Sequence, residues 1–165
     1  MKFSDIKKFT QDGYYHTDIV FTDVKHSIER YIKEYGLILN PDFQRGHVWT
    51  KNQQIAFVEY ILKGGITSDI RLNHPGWMSS FKGKFVCVDG LQRLSAIVAF
   101  LNNEIPAFDI LYKDFEGNTA VSISIRINNL KTRKEVLQWY IDLNTGGTIH
   151  TKEEIEKVKN LLKTA

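Results

Sequence analysis

The chain has 165 residues, of which 42% are hydrophobic and 25% charged, and its net charge is +3. That balance suits a single globular domain over residues 1–165 and excludes a disordered polyelectrolyte, while the small positive charge permits contact with nucleic acid without requiring it. No stretch reaches the roughly 18 apolar residues of a membrane span and the N-terminus has no apolar signal core, so the expected location is the cytoplasm.

In chain order, residues 14–21 predict a first strand. Val24, Ile28, Tyr31, Ile32 and Tyr35 then recur at helical spacing, with Thr22 or Asp23 as cap and Gly36 as a left-handed stop. Residues 37–39 predict a short strand that runs into NPDFQRGHVW, residues 40–49, where Pro41 and Gly46 exclude regular helix. Thr50 and Gln53 form a capping box, Ile55, Val58, Ile61 and Leu62 give that helix its buried stripe, and Gly64-Gly65 ends it.

Residues 69–72 predict a strand, and 74–83 a loop. Phe85 to Val88 is an apolar run of β-formers that breaks at Asp89-Gly90 directly into a helix with Leu91, Leu94, Val98 and Leu101 on one stripe. Cys87, the single cysteine, lies inside that run and reads as a small buried hydrophobe. Residues 108–112 are a strand candidate. Val121, Ile123, Ile125 and Ile127 alternate with Ser122, Ser124, Arg126 and Asn128, the period of a strand with one wet face, and the two are expected to pair antiparallel. Thr132 and Glu135 box the next helix. A last helix, opened by Thr151 and Glu154, follows NTGGT. The expected class is α+β, a small mixed β-sheet with packed helices.

Three polar clusters stand at the ends of apolar elements: PDFQR (41–45), DGLQR (89–93) and NTGGT (144–148). The start of a helix presents unpaired N–H groups and about half a positive charge, so Asp89, Gly90, Gln92 and Arg93 sit where a phosphate would be received. Gln44 beside Arg45 offers an amide and a forked cation, and Gly146, Gly147 and Thr148 before a helix can form an anion-binding nest. Plainer roles stay open: Asp89 as a helix N-cap, Arg45 and Arg93 as partners of structural carboxylates, Gly146-Gly147 as a helix stop, and His47 and Trp49 as loop anchors. Lys131, Arg133 and Lys134 are either a solvated first turn or a contact for nucleic-acid backbone. Phosphate-loop, dinucleotide, serine-hydrolase and zinc-protease motifs are absent, and the histidines lack metal-ligand spacing.

Taken together, NPDFQRGHVW, FVCVDGLQRLSAIVAFLNNE and DLNTGGTIHTKEEI resemble the N-terminal domain of GmrSD-type modification-dependent restriction enzymes, which carries a DGQQR motif. The resemblance spans residues 37–155. It implies a ParB/sulfiredoxin-like fold and a pocket that binds and hydrolyses NTPs, with Asp89, Gly90, Gln92 and Arg93 as signature, Gln44 and Arg45 facing them, and Asn144, Gly146, Gly147 and Thr148 completing the site. By the same resemblance Asp89 orients water or holds Mg²⁺ or another divalent cation, while Arg93 and Arg45 stabilise phosphate charge.

Two departures qualify this. Leu91 replaces the middle glutamine of the signature, and the chain stops soon after the third motif, where larger relatives continue into an HNH-type nuclease domain. The function expected is metal-assisted NTP hydrolysis or phosphoryl transfer linked to DNA restriction, phage defence or counter-defence. The alternatives are a non-catalytic nucleotide- or DNA-binding regulatory module, and a DNA-nicking nuclease. The expected partners are a nucleotide, DNA, and a partner protein such as a nuclease or defence component, with no membrane.

Overall fold

Period-two alternation sets the centre of the sheet. The computed structural model describes residues 1–2, 5–6, 15–44, 46, 48–145 and 152–164. In β4 (Ser122–Asn128), Ile123, Ile125 and Ile127 are buried on one face while Ser122, Ser124 and Arg126 lie on the other. β1 (Tyr15–Val20) runs antiparallel to β4 along its whole length, from Tyr15 opposite Ile127 to Val20 opposite Ser122. β2 (Ile70–Asn73) runs parallel to β4 on the other side, and β3 (Val86–Asp89) antiparallel to β2. The order β1-β4-β2-β3 makes a mixed sheet.

Three helices cover one face. α1 (Val24–Tyr35) follows a 3₁₀ turn, Phe21–Asp23, and ends at Gly36 with φ 68°. Its start carries no side-chain cap, so neither Thr22 nor Asp23 plays the expected role. α2 (Lys51–Leu62) has the capping box foreseen for Thr50 and Gln53. α3 (Leu91–Leu101) completes the layer, and Val24, Ile28, Val58, Ile61, Leu94 and Ile97 meet the buried isoleucines of the sheet.

On the other face, α4 (Arg133–Thr145) and α5 (Lys152–Thr164) enclose a second cluster of Val86, Val88, Val136, Leu137, Tyr140 and Val158. β3 is thus buried on both sides: Phe85 and Cys87 point into the first cluster, Val86 and Val88 into the second. Burial on both faces is why this strand reads as a continuous apolar run and not as an alternation. α4 opens with the Thr132–Glu135 box, Glu135 N–H donating to Thr132 Oγ1 at 3.2 Å and Thr132 N–H to Glu135 Oε2 at 3.0 Å.

Two expected strands take another form. Residues 108–112 form no strand: Ala107 and Ile110 close a tight turn by exchanging backbone hydrogen bonds at 2.9 Å, Phe108 and Asp109 have φ 51° and 61°, which a strand does not allow, and Tyr112 opens a 3₁₀ turn, Tyr112–Asp114. β4 consequently pairs with β1 and β2. Residues 37–39 contribute only a bridge from Ile38 to Val86. The expected cap at Thr151 and Glu154 and the segment Gly146 to Thr148 lie outside the described residues or side chains.

Candidate nucleotide pocket

β3 delivers Asp89 to the end of the sheet and Gly90 turns the chain into α3. Gly90 has φ 110°, and a Cβ there would lie 2.6 Å from Ile70 Cδ1 and 3.3 Å from Ile70 Cα, so both conformation and packing require glycine. Gly90 occupies the N-cap position with no side-chain capping bond. Asp89 is therefore not the N-cap. Its Oδ2 pairs with Arg93 Nη2 at 2.8 Å, one helical turn on, and lies 3.7 Å from Arg71 Nη1 on the neighbouring strand.

The Arg93 side chain is only 11% exposed. Its Nη1 donates to the Ser68 carbonyl and to Ser68 Oγ, the latter at 2.6 Å, which ties α3 to the segment feeding β2. Arg71 was not foreseen. It meets Asp89 through the β2–β3 register, in which the two residues are partners, and neither spacing nor motif in the sequence exposes that pairing.

Both glutamines bind backbone. Gln44 Nε2 donates to the Cys87 carbonyl at 2.6 Å. Ile38 N–H already donates to Phe85 O, and Cys87 N–H to Ile38 O, each at 2.9 Å, so the Gln44 amide takes the next acceptor along the edge of β3. Gln92 grips the facing loop with its whole amide: Oε1 accepts from Val48 N–H at 3.0 Å and Trp49 N–H at 3.1 Å, while Nε2 donates to the Gly46 carbonyl at 2.9 Å. The loop that carries PDFQR and the β3–α3 corner that carries DGLQR are in this way strapped together. Arg45 and His47 lie outside the described residues, as do Gly146, Gly147 and Thr148. Asn144 is described, its Nδ2 donating to the Tyr140 carbonyl at 2.7 Å.

These elements enclose a cleft of about 370 Å³. Gln44, Asp89, Gly90, Gln92, Arg93 and Asn144 all line it, so the described parts of all three motifs converge on one space. Its size falls within the roughly 300–1,000 Å³ usual for small-molecule sites. Trp49, Phe57, Tyr60, Thr67 and Ser68 complete one wall and rim. In the sequence Phe57 and Tyr60 read as ordinary members of a helix; their i, i+3 spacing on α2 is the one signal that they share a face.

Residues 24–120 match the family model of the GmrSD restriction endonuclease, N-terminal domain. The chain belongs to that family. Membership puts this GmrSD N-terminal-type domain in the context of restriction and phage defence, and the matched span holds PDFQR and DGLQR but stops before NTGGT. Neither the curated proteins nor the solved structures compared with the chain gave a significant match.

Away from the cleft, two residues of the basic run, Lys131 and Arg133, bond within the fold. Arg133 forks onto Asp42 at 2.7 and 3.1 Å, and Lys131 Nζ donates to the Pro75 carbonyl. Cys87 is fully buried, which pushes its thiol up to about 12, so it is no nucleophile. His74 Nδ1 accepts from Gly76 N–H at 3.0 Å, and burial lowers its pKa, keeping the ring neutral. No helix among the described residues is long and apolar enough to cross a membrane.

Proposed function

We propose that the cleft binds a nucleoside triphosphate and hydrolyses it, and that the chain serves restriction, phage defence or counter-defence through that nucleotide. One observation carries the reading: the start of α3, with Asp89 beside it, and the aromatic wall of Trp49, Phe57 and Tyr60 line the same space. A helix start binds anions and an aromatic wall suits a base. The hydroxyls of Thr67 and Ser68 add donors for phosphate oxygens. Arg45 is assigned to phosphate on its place in the motif.

In hydrolysis a water oxygen attacks the γ-phosphorus while the bond from that phosphorus to the β–γ bridging oxygen breaks, giving a nucleoside diphosphate and orthophosphate. Asp89 holds the water and takes its proton. No cluster of three His, Cys, Asp or Glu exists among the described residues, so a divalent cation would be held by Asp89 together with the phosphates themselves, an arrangement normal for Mg²⁺. When bound it supplies charge neutralisation on the phosphates.

Phosphate release from each NTP with Mg²⁺ or Mn²⁺ tests this. Asp89→Asn should lower turnover by about 100-fold or more, the scale of a lost general base. Unchanged turnover in that variant would remove the hydrolytic assignment. A second reading, binding without turnover, is favoured by the pairing of Asp89 Oδ2 with two guanidinium groups and by Leu91 in the signature. Saturable NTP binding with no phosphate release under either metal would select it.

A further inference from the structure

Tyr60 is the outlier among the aromatic residues of the cleft. Trp49 and Phe57 form an edge-to-face pair, centroids 5.3 Å apart, and both pack against the main core. Tyr60 is 51% exposed and is held at both its hydroxyl and one ring face. Its hydroxyl donates to the Ile66 carbonyl at 2.9 Å. A Cβ built on Gly65 would come within 2.6 Å of three consecutive ring atoms, Cδ1, Cε1 and Cζ. A point beside the rim of a ring can approach one or two atoms that closely; a point over its face approaches three. One face of Tyr60 therefore lies on the bare backbone of Gly65, and the residue, half-exposed, also lines the cleft.

The Gly64-Gly65 pair thereby acquires two separate tasks. Gly64, with φ 85°, makes the turn after α2, whereas Gly65 has no positive φ and needs no special conformation. What Gly65 supplies is the absence of a side chain. A half-exposed ring, tethered at its hydroxyl and backed by a glycine, is ordered before any ligand arrives, so little conformational entropy is lost when a flat partner stacks on it.

We propose that Tyr60 is the nucleobase platform of the cleft, held ready by Gly65, and that the site binds its nucleotide by stacking on the base as well as by its phosphates. This rests on the nucleotide reading above and adds to it the subsite and its residues. Stacking is tolerant of base identity, because every base has a π face, so the four NTPs should depend on Tyr60 alike.

The test compares binding of ATP, GTP, CTP, UTP and inorganic tripolyphosphate to the wild-type chain, Tyr60→Ala, Tyr60→Phe and Gly65→Ala. Tyr60→Ala should weaken every NTP by about 10- to 100-fold, the contribution of one stacked base, and leave tripolyphosphate unchanged within about two-fold. Gly65→Ala should mimic it, since its methyl displaces the ring without a backbone penalty, and circular dichroism should report an unaltered fold. Tyr60→Phe should retain most of the affinity. If the wild type binds NTPs and both Tyr60→Ala and Gly65→Ala bind them equally well, the platform is wrong and the nucleotide reading survives. Tripolyphosphate bound as tightly as the NTPs by the wild type would also overturn the platform. If the wild type binds neither, both proposals fall together.

Discussion

Asp89–Arg93 and Asp42–Arg133 are the same chemical pair in two settings. Their closest N···O distances, 2.8 and 2.7 Å, are almost equal. The surroundings differ. Arg93 is 11% exposed, and its second nitrogen satisfies Ser68, whereas Arg133 and Asp42 are 44% and 61% exposed. Distance alone would rank them together; desolvation and the extra hydrogen bonds separate them, because an exposed pair competes with water and salt while a buried guanidinium cannot lose its partners without cost. The first pair holds a site together. The second decorates the entrance to a helix.

The largest effect expected from breaking this contrast is at Arg93. Arg93→Ala removes the nearer partner of Asp89 and the tie to the Ser68 segment together, and should cost about 2 kcal/mol in urea unfolding, between an exposed pair and a fully buried one, because Asp89 is 32% exposed and keeps Arg71. Arg93→Lys should recover little of it, since one ammonium cannot reach Asp89 and Ser68 with the geometry of a planar fork. A loss below about 1 kcal/mol would place Arg93 with the surface pairs. Gln92→Ala comes next, at about 1–2 kcal/mol, because the released Val48 and Trp49 N–H groups lie in a loop where water can replace part of what they lose. Faster amide hydrogen exchange at Val48 and Trp49, with the core of β3 unchanged, would identify the loop clamp as the part that failed.

Much of this architecture was legible in advance, and the failures have specific causes. The helices declared themselves through capping boxes and stripes, the Thr50–Gln53 and Thr132–Glu135 boxes included, because those signals are local. The corner at Asp89-Gly90 was legible because a strand period changes to a helix period within two residues. Partnership across the sheet was not. The hairpin expected from residues 108–112 gave way to a turn, and β4 paired with strands far from it in sequence. Arg71 came to Asp89 by the same route. The glutamine amides bind the backbone of the loop and of β3 while both residues also line the cleft, and residue type alone cannot distinguish that use from binding a phosphate or base. The aromatic wall was hidden because Phe57 and Tyr60 look like any helix residues until the cleft is seen beside them.

The smallest effect belongs to Asp42. Arg133, by hydrogen bond and charge, holds the Asp42 carboxyl below its ordinary value of 3.8. A carboxyl with a lower pKa folded than unfolded stabilises the fold above its unfolded pKa, and that contribution disappears as pH falls through the folded value. Because both partners are well exposed, the contribution should stay below about 0.5 kcal/mol at pH 7. Asp42→Asn should show that small loss at pH 7 in low salt, lose it progressively as pH falls below the ordinary carboxylate range and the wild-type carboxyl becomes protonated too, and lose it in 1 M salt, where screening acts within about 3 Å. Arg93→Ala, measured alongside, should keep most of its cost in high salt, because the guanidinium itself is only 11% exposed and its bonds to the Ser68 carbonyl and hydroxyl are to neutral groups that salt does not screen. If Asp42→Asn instead cost more than about 1.5 kcal/mol, or ignored salt, exposure would not be what separates the two pairs, and the rank of Arg93 would need another cause.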